Sequence, residues 1–138
     1  MIPKIRNIFI NLPVENLSRS ITFFTALDFE FNQLLTDQHV SCLTLKEGVY
    51  VNLIEQTYFK EITHNDVPNK YTQTEMMLTL VATSKEKLSE FLNKAIELGA
   101  IEVNTKNDMD GVYCRRFMDL DGHLWEMLYY DQTLLFFE

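Results

Sequence analysis

The apolar pattern of this chain runs twice through one order of elements. Residues 4–12 alternate with the period of a strand: Arg6, Ile8, Ile10 and Leu12 fall on one side, and Ile5, Asn7, Phe9 and Asn11 on the other. Pro13 removes a backbone donor, and Asn16 suits a helix N-cap. Leu17, Ile21, Phe24 and Leu27 then follow at helical spacing. Three extended stretches come next, at Phe29 and Phe31, over 40–45 and over 49–54, the last two joined by a Glu47-Gly48 turn. After a connector without clear periodicity (57–74), the order begins again. Residues 75–82 read as a strand, and Thr83 with Glu86 forms a capping-box pattern. Leu88, Phe91, Leu92, Ala95 and Leu98 make an apolar helical stripe that Gly99 stops. Strands over 101–105, 112–118 and 123–130 complete the second round, separated by turn residues at 108–111 and 119–122.

LPVENLSRSITFFTALDFEFN (12–32) lies over LVATSKEKLSEFLNKAIELGAIEVN (80–104), an offset of roughly 67–71 residues. Neither half can bury a sheet face alone, so the repeat predicts an α+β fold. Two βαβββ modules would form curved mixed sheets around a cleft, with helices packed behind. A ferredoxin-like pair and an unrelated α+β sandwich compete with that reading. The expected organisation is a single domain over 1–138, built of repeats at about 1–56 and 75–131 joined by a loop at 57–74.

Composition narrows the function classes. The 138 residues are 46% hydrophobic, enough for a packed core and too apolar for a disordered polyelectrolyte. Twelve Lys and Arg face twenty Asp and Glu, a net charge of −8 that argues against nucleic acid as a partner. Three basic and nine acidic residues lie in 97–138, so most of that charge belongs to the second repeat. No apolar run approaches the ~20 residues of a membrane span. MIPKIRNIFINLPV reads as a strand rather than a signal peptide. Cys42 and Cys114 lack CxxC spacing, which fits reduced thiols and a cytoplasmic location. Both sit in apolar alternating stretches and read as small core residues.

RRFMDLDGHLWEMLYYD (115–131) resembles the closing motif of the vicinal oxygen chelate superfamily, which includes glyoxalases, bleomycin-resistance proteins and extradiol dioxygenases. Leu120 stands where that motif usually has Pro. NIFINLPVENLSRSITFFTALDFEF (7–31) resembles the opening strand and helix of the same proteins, with Asn16 for the usual Asp, Phe24 for Tyr and Asp28 for Gly. The resemblance is closest to predicted lactoylglutathione lyase-like proteins. It implies the two-module fold with a cleft, a homodimer and a small-molecule ligand. In active members it also implies a divalent metal (Zn, Ni, Mn or Fe) that polarises a substrate with adjacent oxygens.

That implied metal takes ligands from the first, fourth, fifth and eighth strands. The eighth-strand position is matched by Glu126, the candidate catalytic base or metal ligand. The first-strand position falls on Phe9 and the fifth on Met76, neither a ligand for a hard divalent ion. The fourth falls near Leu53, with Glu55 two residues on as a second candidate metal ligand. The usual metal set is therefore mostly absent, and a resident metal is disfavoured. Alternation places Asn7, Phe9 and Asn11 from the first strand, and Tyr113, Arg115 and Phe117 from the seventh, as the side chains expected to bind a ligand in the cleft. Three readings stay open. The first is a lyase or isomerase with a degenerate metal site. The second is a metal-free protein that sequesters a cationic or aromatic small molecule, as antibiotic-resistance members do. The third is a non-catalytic dimeric interaction domain, in which the apolar tail DQTLLFFE (131–138) either caps its own sheet, the favoured alternative, or packs across a dimer.

Overall fold

A computed structural model describes residues 2–103 and 111–131. The tail 132–138 and the expected turn at 108–111, apart from Gly111, lie outside them. The chain divides into two compact units, Met1–Pro68 and Asn69–Glu138. Each carries one round of the repeat, as an open four-stranded mixed sheet with a helix on one face.

In the first unit β1 (Ile8–Val14) leads to α1 (Leu17–Ala26), β2 (Glu30–Phe31), β3 (Val40–Lys46) and β4 (Val49–Glu55). The sheet order is β1-β4-β3-β2, with β1 parallel to β4 and the other pairs antiparallel. Asn16 caps α1 as the sequence predicts, its Oδ1 accepting from Arg19 N at 3.0 Å. Phe23, Phe24 and Ser20 of α1 are buried, as are Leu12, Val14, Leu43, Val51 and Leu53 on one face of the sheet. One short 3-10 turn, Gln33–Leu35, has no counterpart in the periodicity; Asn32 caps it by accepting from Leu34 N. The connector also begins as a helix, α2 (Gln56–Thr63), and not as a loop. It closes with His64 in the left-handed region at φ 60°. Its two turns carry no buried residue, so no apolar stripe marks it in the sequence.

The second unit holds β5 (Met77–Val81), α3 (Lys85–Glu97), β6 (Ile101–Val103), β7 (Val112–Met118) and β8 (Leu124–Tyr130), in the sheet order β5-β8-β7-β6. β5 is parallel to β8, as β1 is to β4, so the two sheets share one topology. The N-cap of α3 is Ser84, whose Oγ accepts from Lys87 N at 3.0 Å, which corrects the expected Thr83 cap by one residue. The helix therefore begins one residue later, and Glu86 lies in its first turn, where a carboxylate favours the helix dipole. Gly99 ends the helix at φ 112°. Leu88, Leu92 and Ala95 are buried on one side of α3, and Phe91 reaches the sheet, 5.9 Å from the Phe117 ring. Phe117 in turn stacks on Trp125 at 6.2 Å, and both are fully buried. Each unit is thus the βαβββ module that the repeat predicts, and the pair matches the fold that the resemblance of the closing and opening motifs implies.

Candidate functional site

The closing motif builds its site from a turn. Asp119 N donates to His123 O, and Gly122 N donates to Asp119 O. The Asp119 carboxylate fills this turn: Oδ1 accepts from Asp121 N and His123 N at 2.9 and 3.0 Å, and Oδ2 accepts from Trp125 Nε1 at 2.9 Å. Burial pushes the Asp119 carboxyl up, against the His123 charge and the bonds from Trp125, Asp121 and His123. Asp119 and Trp125 are thus scaffold. They fix where β7 turns into β8, and so which residues of the two strands stand opposite one another.

Counting outward from the Asp119–His123 pair puts Phe117 opposite Trp125 and Arg116 opposite Glu126. Directly opposed residues of an antiparallel pair share a face. Glu126 therefore lies on the sheet face turned away from α3, together with Thr79, Cys114 and Arg116. Its carboxylate is nearly buried and is held on both oxygens. Oε1 accepts from Thr79 Oγ1 at 2.9 Å; Oε2 accepts from Arg116 Nε at 2.7 Å and from Cys114 Sγ at 3.3 Å. Burial alone would raise its pKa. The bonds from Arg116, Thr79 and Cys114, with the guanidinium charge, outweigh burial and hold it below the usual glutamate value. Cys114 is thereby a half-buried donor to the site rather than a core residue, whereas Cys42 is fully buried and its thiol pKa is pushed up by burial.

The same register corrects the expected face of three residues. Tyr113, Arg115 and Phe117 lie on the side covered by α3, not on the open face. Phe117 is core. Tyr113 Oη lies 3.5 Å from Ser89 Oγ, with the Lys85 ammonium 4.7 Å from its ring centre. Arg115 donates to both Glu102 oxygens at 2.8 Å and to Asn93 Oδ1 at 3.2 Å. These bonds tie β6, β7 and α3 together and hold Glu102 low while raising Arg115. Alternation leaves the choice between two faces open, and the register with β8 turns these three toward α3. The turn register was the signal in the sequence that would have found Arg116 and Cys114.

On the first sheet, Phe9 and Asn11 do lie on the face turned away from α1. Phe9 stacks on Tyr50 at 5.2 Å, and Asn11 Oδ1 accepts from Asn52 Nδ2 at 3.0 Å. Asn7 precedes β1, beside the Gly48 turn, where Ile8 N donates to Gly48 O. Glu55 ends β4 on the α1 side, the opposite face from Asn11 and Asn52, which removes it from the open-face ligand set. Its Oε1 accepts from Thr57 Oγ1 at 3.0 Å and lies 3.6 Å from His39 Nδ1. Among the described residues no three His, Cys, Asp or Glu side chains gather as a metal site. No helix among them is long and apolar enough to cross a membrane.

No family profile and no curated protein matches the chain. Solved structures do. A hypothetical protein from S. aureus is similar at a TM-score of 0.80 and 28% identity, over 92% of this chain and 95% of that one. A glyoxalase/bleomycin resistance protein/dioxygenase family enzyme from Burkholderia phytofirmans PsJN is similar at 0.75 and 10% identity, over 89% and 97%. A genomically encoded fosfomycin resistance protein, FosX, from Listeria monocytogenes is similar at 0.66 and 16% identity, over 100% and 97%.

Proposed function

For a chain with the fold of the vicinal oxygen chelate superfamily, we propose a small-molecule-binding role that needs no resident divalent metal. The observation that carries this reading is the set of partners around Glu126. A metal-binding carboxylate needs further oxygen or nitrogen ligands beside it. Glu126 is surrounded instead by donors: a hydroxyl, a thiol and a guanidinium. Arg116 supplies the positive charge that a cation would bring, and it cannot give up its proton. The residues therefore do not fit the metal that the fold implies. A carboxylate held below its usual pKa is also a weak general base near neutral pH, which favours binding over proton abstraction.

The ligand would meet the open face of the second sheet, where half-exposed Arg116 and Cys114 flank Glu126. Such a surface offers a fixed charge pair with a hydroxyl and a thiol, and it suits a small polar molecule. The test begins with protein dialysed against a chelator. Thermal shift is then read across cationic glycopeptides, aromatic metabolites and hemithioacetals, with and without Zn, Ni, Mn or Fe. The expected result is a ligand-dependent rise in Tm in chelated protein that is weakened in Arg116→Met. Stabilisation or hemithioacetal turnover that appears only with added metal would overturn the reading.

A further inference from the structure

The first sheet ends on one side in β1, which is bonded to β4 and to no other described strand. Ile8 N donates to Gly48 O, so by the alternation of a parallel pair Ile8, Ile10 and Leu12 turn their backbone groups toward β4. The backbone N–H and C=O groups of Phe9 and Asn11 therefore point out of the sheet, where no described residue bonds to them. The outward N–H groups end at Pro13, which has none. A free edge of this kind is a template for another strand, and proteins blunt it with Lys, a bulge or brevity. β2 and β6 are outer strands blunted by brevity, at two and three residues. β1 runs for seven residues, carries no charged side chain and keeps one register with β4 throughout. The apolar side chains at and before that edge stay uncovered: Ile2 is 86% exposed, Ile5 68% and Ile8 52%. β5, the remaining outer strand, is shorter at five residues, and no basic residue lies within three positions of either of its ends.

We propose that β1 pairs with β1 of a second copy of this chain, antiparallel about a two-fold axis, joining two four-stranded sheets into one continuous sheet. Residues of an antiparallel pair that face each other exchange N–H and C=O bonds, so the outward groups of Phe9 and Asn11 gain partners in both copies. No charge lies within β1, so no like charges oppose one another across the new ladder. The same symmetry runs the residues before β1 in one copy alongside the residues after β1 in the other. Lys4 and Arg6 precede the strand, and Glu15 follows it. Two basic side chains thus meet an acidic one at each end of the paired strands, on a chain whose net charge of −8 otherwise opposes self-association. This overlap is what favours a second copy as the occupant of the edge. It also carries Ile2 and Ile5 onto the second copy, which removes apolar surface from water. The pairing uses neither Glu126 nor its neighbours, so it stands whether or not that site binds a ligand.

The test reads association and edge protection together in the full chain. Sedimentation velocity over a concentration series is expected to show a monomer–dimer equilibrium. Amide hydrogen exchange is expected to slow at Phe9 and Asn11 as the dimer fills. Glu15→Lys sets three basic residues together at each end of the paired strands and is expected to raise the dimer Kd about tenfold at low salt. Adding Lys4→Glu and Arg6→Glu to it restores opposite charges and is expected to recover the affinity. All three positions lie outside the helices and strands, and exchange at the amides of β3 and β4 reports whether each variant is folded. Lys4→Glu with Arg6→Glu alone weakens the dimer from the other side and carries the comparison if Glu15→Lys does not fold. A monomer at every concentration, a dimer whose Phe9 and Asn11 amides exchange as fast as in the monomer, or protection of Thr79 and Val81 on β5 in their place would overturn the proposal. So would charge variants as tightly dimeric as the parent, or no recovery on full charge reversal.

Discussion

Glu126 shows how one side chain changes meaning once its neighbours are known. By itself a carboxylate in the apolar strand HLWEMLYY is unexplained, because burying the charge is expensive. Beside Arg116 it becomes half of an ion pair whose second carboxylate oxygen is satisfied by Thr79. Breaking such a pair from one side costs more than removing both partners. Arg116→Met is therefore expected to destabilise the chain by about 1–3 kcal/mol, while adding Glu126→Leu recovers part of the loss. Urea midpoints of the two single variants and the double would show this as a coupling; additive losses would contradict it. Trp125→Phe makes a similar case: it leaves the buried Asp119 oxygen one donor short, and a loss of about 1–3 kcal/mol is expected by the same measurement.

At the scale of elements, caps and turns decide more than propensity. Asn16→Ala removes the bond to Arg19 N and is expected to cost about 1 kcal/mol, seen as a lower urea midpoint with an unchanged slope. Gly122 is the tighter constraint. Its φ is +82°, and a Cβ there would lie 2.6 Å from Cβ of Lys70. Gly122→Ala must strain the turn and displace Lys70, so a loss of about 1–2 kcal/mol or more is expected. A variant as stable as the parent would show that the turn relaxes freely. The six longer strands and the two long helices were legible because each buries residues on one face with a period of its own, whereas β2 and β6 bury none. The helix α2 was not, since nothing along it is buried, and neither was the 3-10 turn, held by a single Asn32 cap.

At the scale of the whole chain, acid response follows from the second sheet. Glu102 is lowered mainly by its bonds to Arg115, and Glu126 is lowered by its three donors against burial. A carboxylate whose folded pKa is depressed contributes stability above its unfolded value, here about 4.5, and loses it as pH falls through the folded value. Asp119 has the opposite sign: its raised pKa contributes below the ordinary aspartate value and is lost as pH rises through the folded one. Stability is therefore expected to fall between about pH 5 and 3, with a shallower fall in Glu126→Gln. Urea midpoints across that range provide the measurement, and an equally steep fall in the variant would count against the ion pair as the source. The order of the strands and the two long helices, the doubled unit and the closing turn were all written in the sequence, because periodicity, caps and turn residues are local and act on the chain wherever it goes. Which face of β7 looks outward, and hence whether Glu126 meets Arg116 or Arg115, depended on the register between strands. Alternation alone has two equivalent solutions, and only the tertiary pairing across the Asp119–His123 turn distinguishes them.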